Sequence, residues 1–361
     1  MIVYIQDTGR ALNPTHVAVQ RALANEGIRF RLFNFFFFPV RSGVVYLHYP
    51  DAYLGASTPL IMLIKNFGFA FSMILSRALG CRIIWEVNNL ITHEHKYPRL
   101  ERMLKKILVA WVDGTIHYSK TSLDDAQKMY PRLAKIPSRV IPHPNFLHLY
   151  PRQGDRERGH RILGVPNSQF NILCFGIIRR YKGIDLLLRA FADLKRKDVA
   201  LIVAGLPLDA PYVKELVALA EEDHRVHLVL REFDDQELLD CYAASDLVCA
   251  PFRAILNSGS VMLALSLGRP VLAPRLGSLR DLETQVGPEW ISLYDSLDSE
   301  TLNVALKRAL SRGKGSPDLS FCDIADVAAD IRDFIRAVYV SAPHAQAIAS
   351  TSVPEQEKDH F

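Results

Sequence analysis

The stretch Asn171-Ile172-Leu173-Cys174-Phe175-Gly176-Ile177-Ile178-Arg179-Arg180-Tyr181-Lys182-Gly183-Ile184-Asp185 decides the reading of this chain. It leaves an apolar run through a glycine, passes three cations and opens a helical pattern. The uninterrupted apolar run suits a strand buried on both faces, as in a parallel sheet. A glycine at its end lets backbone approach a ligand. The following helix start offers free N–H groups and partial positive charge, which favour an anion. Arginine forks match phosphate oxygens, and lysine adds a point charge. Gly176, Arg179, Arg180 and Lys182 are therefore expected to hold a phosphate-bearing ligand, each charge-assisted hydrogen bond contributing about 1.5–3 kcal/mol.

Outward from this loop the same rhythm continues. Ile184 to about Lys195 places Leu187, Ala190, Phe191 and Leu194 on one helical stripe. Strands are expected at Asn171–Phe175, Val199–Ala204, Val226–Leu230, Leu247–Ala250 and Pro270–Ala273. A second loop, Ala250-Pro251-Phe252-Arg253, follows a strand, and Asn257-Ser258-Gly259-Ser260 precedes the helix Val261–Leu267. Its side chains can cap that helix, and Gly259 permits close approach.

The N-terminal half alternates in the same way. Its expected strands are Ile2–Gln6, Ile28–Phe33, Val44–His48, Arg82–Val87, Thr115–Tyr118 and Val140–Pro142. A helix begins at Asn13-Pro14 and stops near Gly27. Tyr150 to Asp155, polar with Pro and Gly, reads as a linker. The fold class is therefore α/β, with two Rossmann-like doubly wound parallel-sheet domains. The expected parts are an acceptor-side domain at 1–149 and a donor-binding domain at 150–322. A helix at 323–340 is expected to pack back on the first domain, and 341–361 to be disordered. Two such sheets in tandem would turn their loops toward a central cleft.

Composition is that of a globular protein, with 49% hydrophobic and 23% charged residues. The five cysteines (Cys81, Cys174, Cys241, Cys249, Cys322) are odd in number and form no C-x-x-C pair, so a disulfide framework or zinc site is not indicated. Met1 to Asp7 lacks a basic leader and reads as a strand, which with the cysteines suits a reducing cytoplasm. Residues 1–150 hold 18 Lys and Arg against 9 Asp and Glu, while the remainder holds 25 against 30. The basic half is expected to face something anionic. In Leu54–Leu79 the charge-free run between Lys65 and Arg77 is 11 residues, too short to span a bilayer.

The C-terminal half resembles the donor-binding domain of GT-B glycosyltransferases, and most closely glycosyltransferase family 4. The likeness rests on Gly176, Arg179 and Lys182-Gly183, then Val203-Ala204-Gly205, Ala244-Ser245-Asp246-Leu247, Ala250-Pro251 and Leu267-Gly268-Arg269-Pro270-Val271. Asn257 to Ser260 and Val286 to Trp290 resemble the branch that works in bacterial exopolysaccharide assembly. The resemblance implies a hexosyltransferase moving a hexose or hexuronic acid from a UDP- or GDP-linked donor to a lipid-diphosphate-linked saccharide. It implies retention, no metal and no cofactor beyond the donor itself. Arg179 and Lys182 would grip the diphosphate, Phe233 would border the base, and Ser258, Gly259 and Ser260, with Asn257, would meet the phosphates or sugar. Two family glutamates before the Gly-x-Pro fall here on Ile255 and Leu263. If the reaction inverts instead, a protein base is needed.

In the N-terminal half, Trp85 to Glu94 resembles the family loop after a middle strand, with Asn88 where a histidine is common. His93 and Glu94, or Asp7, are then the candidate catalytic groups. Gly9, His16, Asn88 and His143 are candidates for the acceptor side. The apolar segment Pro59–Leu79 and nearby cations suggest a membrane surface contacted through residues 1–149, with the protein peripheral on the inner face of the plasma membrane. A nucleic-acid partner is not expected. Two other functions fit the fold: a non-catalytic nucleotide-sugar-binding partner in a synthesis complex, and a sugar-nucleotide epimerase.

Overall fold

The computed structural model describes residues 1–6, 14–33, 39, 41–51, 58–90, 98–150, 153–166, 170–312 and 315–340. The chain forms two compact units. The first comprises residues up to Tyr118, Leu123–Ile141 and the chain from Ala325; the second comprises Ser119–Ser122 and Pro142–Ile324.

The first unit is built on six parallel strands, β1 (Ile2–Gln6), β2 (Arg29–Phe33), β3 (Val44–Leu47), β4 (Arg82–Glu86), β5 (Gly114–His117) and β6 (Ser138–Val140), in the order β2-β1-β3-β4-β5-β6. Register is set by pairs such as Tyr4↔Val45, Val45↔Ile83 and Ile84↔Gly114. All four residues of β3 are buried, as expected for a strand covered on both faces. Its helices are α1 (Pro14–Asn25), α2 (Pro59–Ala78), α3 (Pro98–Trp111) and α4 (Lys120–Met129).

The second unit restarts with α5 (Arg156–Leu163), β7 (Phe170–Phe175), α6 (Ile184–Ala192), β8 (Val199–Ala204), α7 (Ala210–Glu221), β9 (Val226–Val229), α8 (Asp235–Ala244), β10 (Leu247–Cys249), α9 (Gly259–Ser266), β11 (Val271–Pro274), α10 (Leu279–Val286), β12 (Ile291–Tyr294) and α11 (Ser299–Ser311). The sheet order is β12-β11-β10-β7-β8-β9, all parallel. Order therefore reverses between β7 and β10, the switch point where open α/β sheets bind ligands. In the first unit the reversal falls between β1 and β3.

The last helix, α12 (Ile324–Val340), buries Val327, Ile331, Phe334, Ile335 and Val338 in the first unit's core with Val3, Ile5, Tyr46, Ile84 and Ile116. Two differences from the sequence reading have clear causes. The units divide after Ile141, upstream of the polar stretch at 150. Phe146 is buried in the second core, and Asn145 bonds to Cys322 O (2.9 Å, from its backbone N–H) and Leu319 O (3.1 Å, from Nδ2). β12 was not anticipated, since Ile291-Ser292-Leu293-Tyr294 is short and half-polar, and its parallel pairing with β11 defines it. All five cysteines are free and buried.

Candidate active site

The second unit's loops after β7 and β10 meet at its switch point. β7 ends at Phe175, and Gly176 turns with φ 126°. Its N–H bonds to Ala204 O at 2.9 Å, and Ile178 N–H bonds to Leu206 O at 2.9 Å, so the loop stays tied to the end of β8. Arg179 precedes a single 3-10 turn, Arg180–Lys182, which Gly183 closes at φ 67° before α6 begins. A methyl group at Gly183 would lie 2.1 Å from Pro251 O, so the two loops are in contact here.

Lys182 is the charge at the centre. Its Nζ lies 4.7 Å from the Phe252 ring centroid and 5.8 Å from that of Tyr181. It makes no ion pair among the described residues, and burial pushes its pKa below the ordinary lysine range. A Cβ on Gly176 would meet only Lys182 Nζ, at 3.9 Å, so the space beside the ammonium is open. A desolvated cation at a helix start, facing open space, is suited to an anionic ligand.

The other predicted donor residues divide. Arg179 is half-buried at the loop's crest. Arg180 is exposed and reaches toward α7. Its guanidinium pairs with Glu215 at 2.7 Å and lies 4.7 Å from the Tyr212 ring centroid, so it ties the loop to α7. Phe233 packs edge-on to Phe175 at 5.2 Å, with the Arg231 guanidinium 4.2 Å from its ring centroid. Ser258 caps α9 by accepting from Val261 N–H at 3.2 Å and lies 3.2 Å from the Ser260 hydroxyl. His143 donates from Nδ1 to Pro144 O at 2.8 Å, and its Nε2 lies 3.5 Å from where a Cβ on Gly259 would stand. Asn257, Ser258, Gly259, Ser260 and His143 thus gather at the start of α9. At the family's glutamate positions, Leu263 lies in the apolar core and Ile255 packs against it, partly buried.

The sequence reading missed a buried pair behind this loop. Asp185, 4% exposed at the first turn of α6, accepts from Tyr212 Oη at 2.6 Å and from Arg253. The signal was available: a carboxylate directly after a Gly-Ile helix start, where the dipole favours negative charge.

In the first unit, Asn88 follows β4 and donates from Nδ2 to His48 O at 2.8 Å. The His16 ring lies 4.6 Å from that of His48. Asp7, Gly9, His93 and Glu94 lie outside the described residues, as does 341–361. Among the described residues no three His, Cys, Asp or Glu side chains are grouped so as to hold a metal ion.

A GT-B glycosyltransferase is the class that this fold and this loop define. The model of the family described as glycosyl transferases group 1 matches residues 169–312. The chain is 29% identical over 289 residues to a GDP-mannose:glycolipid 4-beta-D-mannosyltransferase of Xanthomonas campestris pv. campestris, covering 78% of this chain and 75% of that one. It is 31% identical over 169 residues to D-inositol 3-phosphate glycosyltransferase 1 of Catenulispora acidiphila, covering 43% and 40%. In fold it is similar to Anabaena Alr3699/HepE in complex with UDP and glucose, with TM-score 0.61, 17% identity, and 98% and 99% of the two chains covered.

Proposed function

We propose that this enzyme transfers a hexose from a GDP-linked donor to a glycolipid whose saccharide is carried on a lipid diphosphate. The observation that carries this reading is Lys182, a desolvated ammonium with no ion-pair partner among the described residues, at a helix start on the switch point. With Arg179 it neutralises the diphosphate as it departs, supplying from the protein the positive charge the leaving group requires. The relative named for GDP-mannose and a glycolipid, alike over three quarters of both chains, supports the donor base and the acceptor class. A thermal-shift series tests it. GDP or GDP-mannose at 100 times its dissociation constant should stabilise the chain by about 2.7 kcal/mol, with UDP and UDP-glucose weaker. No shift with any nucleoside diphosphate would refute the donor assignment.

Stereochemistry follows a different line from the family resemblance. Mannose is α-linked in GDP-mannose, so a β-mannosyl product, such as that relative's name describes, requires inversion. Apolar residues at 255 and 263 support the same reading here, because the paired glutamates of retaining relatives are missing.

The acceptor class also suits the surface of the first unit. α2 is long and apolar enough to cross a membrane by length and composition, yet it buries Met62, Asn66, Phe69, Met73 and Ser76 as an inward stripe. Its opposite face exposes Leu60, Leu63, Ile64, Phe67, Phe71 and Ile74, with Phe67 77% exposed. On α3, Arg102, Met103, Lys106 and Ile107 are exposed as well. Apolar side chains beside cations fit an anionic bilayer interface, on which the helix would lie in plane, on the cytoplasmic side. Full burial of an Ile or Phe side chain contributes about 1.5–3 kcal/mol. Replacing Ile64 and Phe67 together by glutamate should therefore move the protein from the floating to the soluble fraction with vesicles containing phosphatidylglycerol. Unchanged flotation would exclude this face as the contact.

A further inference from the structure

The amino ends of the second unit's strands hold two arginines that the donor chemistry does not use. Arg269 stands two residues before β11, Trp290 one residue before β12, and Arg312 just past α11. Lys182 and Gly259, by contrast, follow the carboxyl ends of β7 and β10. Val271 N–H bonds to Trp290 O at 2.8 Å, which sets the starts of β11 and β12 side by side. The Arg312 guanidinium lies 3.9 Å from the centroid of the Trp290 ring, and Trp290 is buried. Gly315 O lies 3.8 Å from where a Cβ on Gly268 would stand, so the chain past α11 returns to the Gly268-Arg269 turn.

Both guanidiniums are half-buried and poorly satisfied. Arg269 donates from Nη1 to Ser245 O at 3.0 Å, but its buried Nε has no partner. On Arg312 the buried Nε and Nη1 both lack one. Neither arginine forms an ion pair among the described residues. The neighbouring carboxylate of Asp246 is taken by Arg156 at 2.9 Å and by Asn171 N–H at 2.8 Å. Burial, then the charges of Arg156 and Arg312, press Arg269 below the ordinary arginine range against the pull of Asp246, and burial does the same to Arg312. Three buried N–H donors without acceptors, on two cations that repel each other, destabilise the fold unless an anion answers them.

We propose that Arg269 and Arg312 form a second anion site, at the opposite end of the sheet from the donor loops, and that it takes a phosphate group. A carboxylate has two oxygens and satisfies one guanidinium fork. Two forks call for more acceptors, which the terminal oxygens of a tetrahedral phosphate supply. The Trp290 ring shields one face of Arg312 from water, which strengthens the attraction of the guanidinium for the anion. Bound there, phosphate joins the end of α11 to the start of β11 and cancels the repulsion between the two cations. Free phosphate and the headgroup of a phosphomonoester lipid carry the same chemistry. The site does not depend on which nucleotide the donor loops hold.

The test uses the full chain with GDP in excess, so that added phosphate does not report on the loop of Lys182. Inorganic phosphate at ten times its dissociation constant should raise the melting temperature by about 3–6 °C over sodium chloride of equal ionic strength. Arg312→Gln removes a desolvated charge from a half-buried position. Without phosphate it should melt within about 2 °C of the parent, and with phosphate it should show no rise. Arg312→Lys keeps the charge but not the fork, and should bind phosphate about tenfold more weakly by titration calorimetry. That variant also carries the test should Arg312→Gln fail to fold. Dihexanoyl phosphatidic acid is the second probe. A rise with inorganic phosphate assigns the site to a soluble ligand, and a rise with the lipid alone assigns it to a headgroup. No rise with either probe, or a phosphate response undiminished in both Arg312 variants, overturns the inference.

Discussion

Lys182→Ala should abolish most transfer while leaving the folded protein as stable as before, or more so. The ammonium is half-buried against Phe252 and Tyr181, with no ion pair among the described residues. Its contacts with the two rings contribute about 0.5–2 kcal/mol. Against that stands the cost of holding a desolvated charge, visible as a pKa pressed below the lysine range by burial. These terms oppose each other, so the melting temperature should change by no more than a few degrees in either direction. Catalysis has no such compensation. The departing diphosphate loses a cation at the atom where charge develops, and losing one such donor costs about 100- to 1000-fold in kcat. Lys182→Arg should recover only part of this, since a planar fork does not occupy the space of a compact ammonium. Arg180→Ala is the contrasting case. Its guanidinium pairs with Glu215 and lies over the Tyr212 ring, so turnover should stay within about threefold while stability falls only slightly. Steady-state kinetics and melting curves on the three variants decide it. Equal losses for Lys182→Ala and Arg180→Ala would mean that the loop acts by general positive charge.

That contrast separates what is local in the sequence from what is not. The loop after β7 is legible because its chemistry is local: a glycine, spaced cations and a helix start lie within ten residues. Arg180 is indistinguishable from its neighbours in that pattern. Its fate is set by Glu215, a residue 35 positions on that α7 brings alongside. The last helix was legible, expected at 323–340 and found at Ile324–Val340, because Val327, Ile331, Phe334 and Val338 repeat at helical spacing. β12 was not, because pairing with β11 and not its own composition makes it a strand. Glu86, a buried carboxylate that accepts from the Tyr46 and Tyr118 hydroxyls, was out of reach for the same reason as Arg180. His16, Tyr46, His48, Glu86 and Tyr118 come from four separate segments, and only the sheet gathers them. Its one local hint is a carboxylate ending the otherwise apolar run Ile83-Ile84-Trp85-Glu86.

Gly205→Ala should be the most damaging single-methyl change in the second unit. Gly205 leaves β8 with φ 144°, a conformation that side chains rarely adopt. An added Cβ would stand 1.8 Å from Gly176 O and 2.6 Å from its carbonyl carbon, contacts that only a backbone shift can relieve. The site cannot yield cheaply. Gly205 N–H is bonded to Val229 O at 3.1 Å, and Gly176 N–H to Ala204 O at 2.9 Å, so each partner is pinned to the sheet. Strain of about 1–3 kcal/mol for the dihedral adds to about 1–3 kcal/mol for overpacking, for a loss of about 3 kcal/mol or more. In a unit of this size that corresponds to a fall of about 6–12 °C in melting temperature. Gly164→Ala is the control. Gly164 also has positive φ, 67°, at the end of α5, but nothing lies within 4 Å of its Cβ position, so the cost should be the dihedral strain alone. Gly205 carries a further consequence that Gly164 does not. The carbonyl it displaces belongs to Gly176, beside which the Lys182 ammonium waits, so the folded fraction of Gly205→Ala should bind GDP at least about tenfold more weakly, a difference of about 1.4 kcal/mol. Calorimetric titration below the melting transition reads this directly. Parental GDP affinity in a destabilised Gly205→Ala would show that the backbone at Gly176 does not shape the diphosphate site.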